Sequence, residues 1–311
     1  MDTLDNAKSS ASSGHKLGQI IGDWYEEYFA LPILQEVANE LGMYCDSRFS
    51  QRDCRGEKIL WQDYEGNQVD YDFVLELNGS NKDFGAPVAA FETFWRRGSR
   101  HSKDKARDDT GKLVPLKYTY PTLRVIGIIS AGDFTKPAKE LVYSRGVDLF
   151  YVDKKNIIDA WMNCGLVVDY PDRSSEEEKS KLTKLVTDKI NSEPTTLKKV
   201  ADELVRLVTP ATIKGYKDRL IASIGSTPQR FVIQIQTKSL PIEFSSHEDA
   251  NDFFEAEEPN MVDVADSQTY SYQVHFFNGD EFQRENLEWS EIRELHNDLR
   301  DLVLHLQSRE G

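Results

Sequence analysis

The chain has 311 residues, of which 39% are hydrophobic and 29% charged, and its formal net charge is -15. That length suffices for one sizeable α/β domain with smaller units attached, each with its own buried core. No apolar run approaches the roughly 20 residues that a membrane-spanning helix needs, so a soluble protein with no membrane partner is expected.

Residues 1–16 are polar and Ser-rich, and are expected to form a disordered leader. Over residues 17–41 the apolar positions Ile20, Ile21, Trp24, Tyr28, Leu31, Leu34, Val37 and Leu41 recur at helical spacing, which predicts one long helix bent near Pro32. Short runs rich in β-branched and aromatic residues at 58–61, 69–77 and 88–95 predict three strands joined by turns. The almost wholly apolar run 123–130 reads as a strand covered on both faces, followed by a helix at 136–144, a strand at 147–152 and a helix starting at 157. A Pro-Asp turn and a charged run at 171–193 mark a boundary, and 196–224 reads as one or two helices. From Arg230 the pattern alternates as strands do, with a hairpin at Asn278-Gly279 and a closing helix at 289–306. The fold class expected is α/β: a mixed central sheet flanked by helices over 17–170, a helical region over 171–227, and a small acidic α+β domain over 228–311.

Charge is distributed unevenly. Residues 241–311 hold 18 Asp and Glu against 4 Arg and no Lys, whereas residues 94–124 hold nine Lys and Arg against three Asp. Affinity for phosphate backbones comes largely from Lys and Arg, so the second segment is the one suited to nucleic acid. Three cysteines, Cys45, Cys54 and Cys164, show no CxxC spacing and give neither a disulfide framework nor a zinc site, as expected of a cytoplasmic protein.

The chemistry concentrates at VDYDFVLELNGSNKDFGAPVAAFETFWRRGSRHSKDKARDD. Strand side chains alternate, so Asp70, Asp72 and Glu76 share one face of their strand, and Glu92 shares one with Phe94 and Arg96. If the strands pair, the acids converge into an oxygen-rich site for a hard cation such as Mg²⁺. Glu92 lies in the apolar run VAAFETFW, where an unpaired carboxylate costs several kcal/mol, so it requires a cationic partner. The segment RRGSRHSKDKARDD places Arg96, Arg97, Ser99, Arg100, His101, Ser102 and Arg107 beside this point, and they are the candidate nucleic-acid contacts.

In these residues and in the order of its elements, the stretch 17–165 resembles the PD-(D/E)XK nuclease superfamily. Asp72 matches the family's Asp and Glu92 the acid of the second half-motif, while the position of the motif lysine holds Phe94. The resemblance implies a restriction-endonuclease-like fold and a Mg²⁺-dependent endodeoxyribonuclease of restriction or genome-defence type, with Mn²⁺ as a substitute metal. It implies metal ligation by Asp72 and Glu92, with Asp70 and an early helical glutamate, Glu27 ahead of Glu26, as further ligands. The missing cation is expected from Lys103 or Lys105, with Arg96 as the alternative. Double-stranded DNA is the implied partner, cut by a homodimer with one site per strand. The alternative is a catalytically lapsed module that keeps the fold and binds DNA or a protein, for which Phe94 is the motive. The acidic C-terminal domain is expected to bind a partner, shield the basic cleft or mediate self-association.

Overall fold

The computed structural model describes residues 13–235, 240–255 and 269–310. Most of the expected leader and the acidic segment before Tyr270 lie outside these residues. The architecture is mixed α/β, with a five-stranded central sheet flanked by helices on both faces and a second, four-stranded antiparallel sheet near the C-terminus.

The first long helix is interrupted. Helix α1 (Ser13–Tyr25) passes through a π-helical turn (Glu26–Ala30) into α2 (Leu31–Leu41). The Leu31 N–H reaches back five residues to the Glu26 carbonyl. Pro32, in the first turn of α2, has no N–H and crowds the carbonyl one turn earlier, and one extra residue in the turn relieves that conflict. The expected bend near Pro32 is thus a change of helical phase just before it.

The central sheet runs in the order β1 (Tyr44–Ser47), β4 (Phe73–Leu77), β5 (Ala86–Arg96), β6 (Val125–Gly132), β7 (Asp148–Asp153). The first three strands are antiparallel and the last three parallel. The expected strand at 69–77 is in fact two. Its first part, β3 (Gln68–Tyr71), pairs with β2 (Ile59–Gln62) in a separate hairpin, and Asp72 occupies the bend before β4. Strand β1 has no alternating signature because its Asp46 and Ser47 are buried polar residues. Asp46 receives hydrogen bonds from Arg52 and Arg55, and the Arg52 guanidinium also grips Glu76.

One face of the sheet, carrying Phe73, Leu75, Phe91, Ile129 and Phe150, packs under α1 and α2. Helix α5 (Lys154–Asn163) and three further helices, α6 (Glu176–Ser192), α7 (Thr196–Val208) and α8 (Pro210–Ile224), extend the same core. The charged run at 176–192 is α6, begun by a capping box between Ser175 and Glu178 and packed on α1 through Thr183 and Val186. The other face, with Val74, Ala90, Phe94 and Ile128, packs under α3 (Ser102–Thr119) and α4 (Lys136–Ser144).

The second sheet has the order β11 (Glu281–Leu287), β10 (Tyr270–Phe276), β8 (Pro228–Ile235), β9 (Ile242–Phe244). It is closed by α9 (His247–Glu255) and α10 (Trp289–Glu310). Beneath it lies His296, fully buried, its Nδ1 2.9 Å from the Tyr272 hydroxyl and its Nε2 2.8 Å from Asn251 Oδ1. A neutral ring satisfies both, donating from Nε2 and accepting at Nδ1.

Two predictions follow from this packing. Gly132 ends β6 at φ +104°, and a Cβ there would meet the Arg96 carbonyl oxygen at 1.9 Å. Gly132→Ala should therefore destabilise the fold by about 3 kcal/mol in urea titrations, through strain and overpacking together. Burial, with His247 and Arg300 adding to it, pulls the His296 pKa down to about 3. Below the unfolded value near 6.5 the unfolded chain takes up a proton that the fold refuses, so stability is full above that pH and falls as the pH approaches 3. A loss of about 3 kcal/mol between pH 7 and pH 4 is expected from this residue, seen as the difference in slope between the wild type and His296→Gln.

Candidate active site

The pairing of β4 with β5 fixes where the acids meet. Phe73 stands opposite Phe91, and the same register brings Asp72 alongside Glu92 and Thr93. Asp72 is held there by Thr93, whose N–H and hydroxyl both donate to Oδ2, at 2.7 and 3.1 Å. Being on a bend and not within a ladder, Asp72 is half-buried and turned between the two faces of the sheet.

Glu92 is 1% exposed and points under α3. Its Oε2 accepts a hydrogen bond from Lys112 Nζ at 3.1 Å, and its Oε1 has no partner. Lys112 also donates to the Asp70 carbonyl at 3.3 Å, and the Tyr71 hydroxyl donates to the Lys112 carbonyl at 3.0 Å, which ties α3 to the β2–β3 hairpin. One helical turn before, Asp109 is fully buried. Its Oδ1 accepts from Lys105 Nζ at 2.6 Å while its Oδ2 has no partner. On the α1 side, Glu26 receives two hydrogen bonds from Arg48, at 2.7 and 2.8 Å.

The electrostatics reflect an excess of acid. Burial first, then Asp72 and Asp109, push the Glu92 carboxyl up to about 8 against the pull of Lys112 and Lys105. Burial and Asp72 likewise raise Glu26 to about 7, opposed by Arg48. Asp109 is raised by its burial, which its two lysines only partly offset. For Lys112, burial works against the ammonium, but Glu92, Asp109 and Asp72 outweigh it and hold the pKa above the ordinary lysine value. Both members of the Glu92–Lys112 pair hold protons more tightly than usual, as expected where two lysines face three carboxylates.

The structure rearranges several sequence expectations. The cation at Glu92 is Lys112, with Lys105 at Asp109; Lys103 is exposed on the outer face of α3. Phe94 packs edge-on to Phe134 and lies 5.6 Å from the Lys105 ammonium. Asp70 offers its carbonyl and not its carboxylate, whose Oδ1 accepts from the Ile59 N–H instead. Glu76 is spent on Arg52. The inward glutamate is Glu26, at the start of the π-helical turn and bound to Arg48, whereas Glu27, which the resemblance puts first, is only partly buried. Of the basic segment, Arg97 is bound to Asp169, the Tyr170 carbonyl and Asp172, and Ser102 is buried against the Thr135 hydroxyl, so neither is free for a ligand. His101, at φ 66°, pairs with Asp104. Arg96 is half-buried, whereas Ser99, Arg100 and Arg107 are exposed, Arg107 bonding Asp104.

Asp109 and Lys112 are not among the residues expected from sequence, although with Lys105 they form a stripe at i, i+4 and i+7 on the helix after Glu92. They share the inner face with Ala106, Leu113 and Leu116. The stripe is polar where a core-facing helix is usually apolar, and that contrast is the signal.

No family model matches the chain, and no curated protein does. A solved structure, that of a protein of unknown function, AF1548, is similar over 64% of this chain and 98% of its own, at 12% identity and a TM-score of 0.28. So slight a likeness carries no argument.

Removing Lys112 would leave Glu92 buried without its cation. A fully buried pair loses roughly 3–5 kcal/mol when one partner goes; Lys112 is 40% exposed, so Lys112→Met should cost about 2 kcal/mol at pH 9, above the raised Glu92 value, and less at pH 7, where the carboxyl holds its proton. Glu92→Gln in the same chain should recover most of this, and a double-mutant cycle by chemical denaturation reads the coupling directly.

Proposed function

We propose that the chain is a divalent-metal-dependent nuclease whose site is Asp72 and Glu92, with Lys112 in the role that Phe94 cannot fill. The observation that carries this reading is Glu92: a buried carboxylate in register with Asp72, with one oxygen on Lys112 and the other without a partner. Native folds rarely leave a buried carboxylate oxygen unpaired, because the full desolvation cost then stands.

Among the described residues, no three His, Cys, Asp or Glu side chains are grouped as a ready-made metal site. Mg²⁺ does not require one, since it keeps most of its water and takes one or two carboxylates. Asp72 and Glu92 fit that need, in chemistry and in their excess of negative charge, and Mn²⁺ would suit the same oxygens. When bound, such an ion supplies polarisation of a phosphate and activation of water. The protein's own contribution is electrostatic. Lys112, held charged by three acids, is the fixed positive group able to offset charge growing on a phosphoryl oxygen. Lys105 does the same for Asp109, which keeps that acid from competing for Lys112. Exposed Arg100 and Arg107 flank the start of α3 and suit the backbone of duplex DNA.

A second reading, a DNA-binding module without catalysis, is favoured by one observation: Phe94 is packed into an aromatic pair where the superfamily carries its lysine.

The test is cleavage of plasmid and phage DNA by the purified chain with Mg²⁺ or Mn²⁺. Glu92→Ala should abolish cleavage, Lys112→Met should slow it by about 100-fold, and Lys103→Ala should leave it within about twofold. Binding without cleavage under every metal would establish the second reading, and equal loss in Lys103→Ala and Lys112→Met would refute the role given to Lys112.

A further inference from the structure

Away from the carboxylate cluster, a cleft of about 520 Å³ opens at the amino ends of β6 and β7. Three parts of the molecule form it. The central sheet and α3 supply Arg124, Asp148 and Lys117, α8 supplies Arg219 and Ser223, and the β10–β11 turn supplies Asn278 and Asp280. It shares no residue with Asp72, Glu92, Asp109, Lys105 or Lys112.

Arg124 is its unusual member. It is 3% exposed, yet its Nε and Nη2 donate no hydrogen bond. One face of the guanidinium is stacked 3.2 Å from the centre of the Phe276 ring, and the nearest charge, Asp280, stands 3.5 Å from Nη2 and bonds to Lys117 instead. Burial lowers the Arg124 pKa to about 10, with Asp280 restoring only part of it. A buried guanidinium with two of its nitrogens unbonded is costly, and an apolar side chain of the same bulk would serve packing better. Stacking on Phe276 holds the guanidinium plane fixed in the cleft wall, and a planar donor edge is the geometry that meets phosphate in a bidentate fashion. The lining carries three cations against two acids, Asp148 being forked by Arg219, so the cleft retains a net positive charge. Ser223 and Asn278 add neutral hydrogen-bonding groups, and Tyr143, 59% exposed at the wall, offers a ring to stack on.

We propose that this cleft binds a phosphate group, as the free ion or on a small monoester, with Arg124, Lys117 and Arg219 meeting the phosphate and Tyr143 available to a planar group beside it. The volume lies within the range of small-ligand sites. Because its walls come from α3, α8 and the β10–β11 turn, an occupied cleft ties the C-terminal sheet to the helix that carries Lys105 and Lys112. The phosphate competes with Asp280 for Lys117, so occupancy alters the one salt link by which Asp280 holds α3.

The experiment is calorimetric titration of the full chain in EDTA with inorganic phosphate, with a nucleoside monophosphate and with the matching nucleoside, alongside melting curves. Saturable binding of phosphate, of the nucleotide or of both is expected, with a melting temperature that climbs with ligand concentration. Binding of phosphate alone would point to the free ion, and tighter binding of the nucleotide to a nucleotide ligand. Either should be unchanged in Glu92→Ala, which keeps the test independent of the nuclease reading. Arg219→Gln should weaken it about tenfold, and Arg124→Met should abolish it while melting no lower than wild type. If Arg124→Met does not fold, Arg219→Gln on the surface of α8 decides alone. No saturation up to about 10 mM, or binding lost in Glu92→Ala and intact in Arg219→Gln, would overturn the proposal.

Discussion

Three carboxylates, Asp72, Glu92 and Asp109, come together at the sheet, two of them buried beneath α3, and the fold around them is arranged to keep that tolerable. Carboxylates in an apolar layer cost several kcal/mol each unless cations and donors accompany them. The helix that covers the sheet therefore cannot be a plain amphipathic helix: its inner face must deliver Lys105 and Lys112 among Ala106, Leu113 and Leu116. Neither can β3 and β4 be one strand. The chain breaks at Asp72 so that its carboxylate can reach the Thr93 amide and hydroxyl while the hairpin behind it turns away to meet Lys112.

A second set of ions supports the first from outside. Arg52 and Arg55 close on Asp46, Glu76 and the backbone of the 47–56 loop, all of them nearly sealed from solvent. This fixes the stretch that begins with Arg48, and Arg48 in turn meets Glu26 across the gap between β1 and the first helix. In a chain with so acidic a balance, the arginines that remain are thus drawn into holding carboxylates in place. Arg100, in the loop before α3, is among those left facing solvent.

Much of the central sheet was legible because its strands are long, apolar and separated by turn residues; β5, β6 and β7 fall where periodicity puts them. The pairing of Asp72 with Glu92 was also legible, since it depends only on alternation and on adjacent strands. What escaped were features whose cause is tertiary. Strand β1 is polar because its partners are buried arginines distant in sequence from its pattern. Glu26 is buried because Arg48, distant in sequence, receives it, a pairing that no hydrophobic pattern records. Nearness in sequence to Glu92 points to Lys103 and Lys105, but Lys103 faces solvent, and the nine residues from it to Lys112, about two and a half helical turns, put the later lysine on the side over the strand. Arg97 and Ser102 looked like ligand contacts because their residue types are, and only the fold shows them consumed by Asp169, Asp172 and Thr135.

The π-helical turn at Glu26–Ala30 has a further meaning. One residue more than an α-helical turn rotates everything after it by about 100° relative to everything before. The segment ahead of the turn is thereby free to fit α6 and the carboxylates, while the segment behind it fits α8 and β1. Two packing requirements that would collide on a single regular helix are met by separate stretches of chain. Substitutions that improve packing in α2 need not disturb the orientation of Glu26, and the acidic face can vary without loosening the rest. The extra residue lets the stretch that meets the carboxylates and the stretch that packs the scaffold each be satisfied on its own terms.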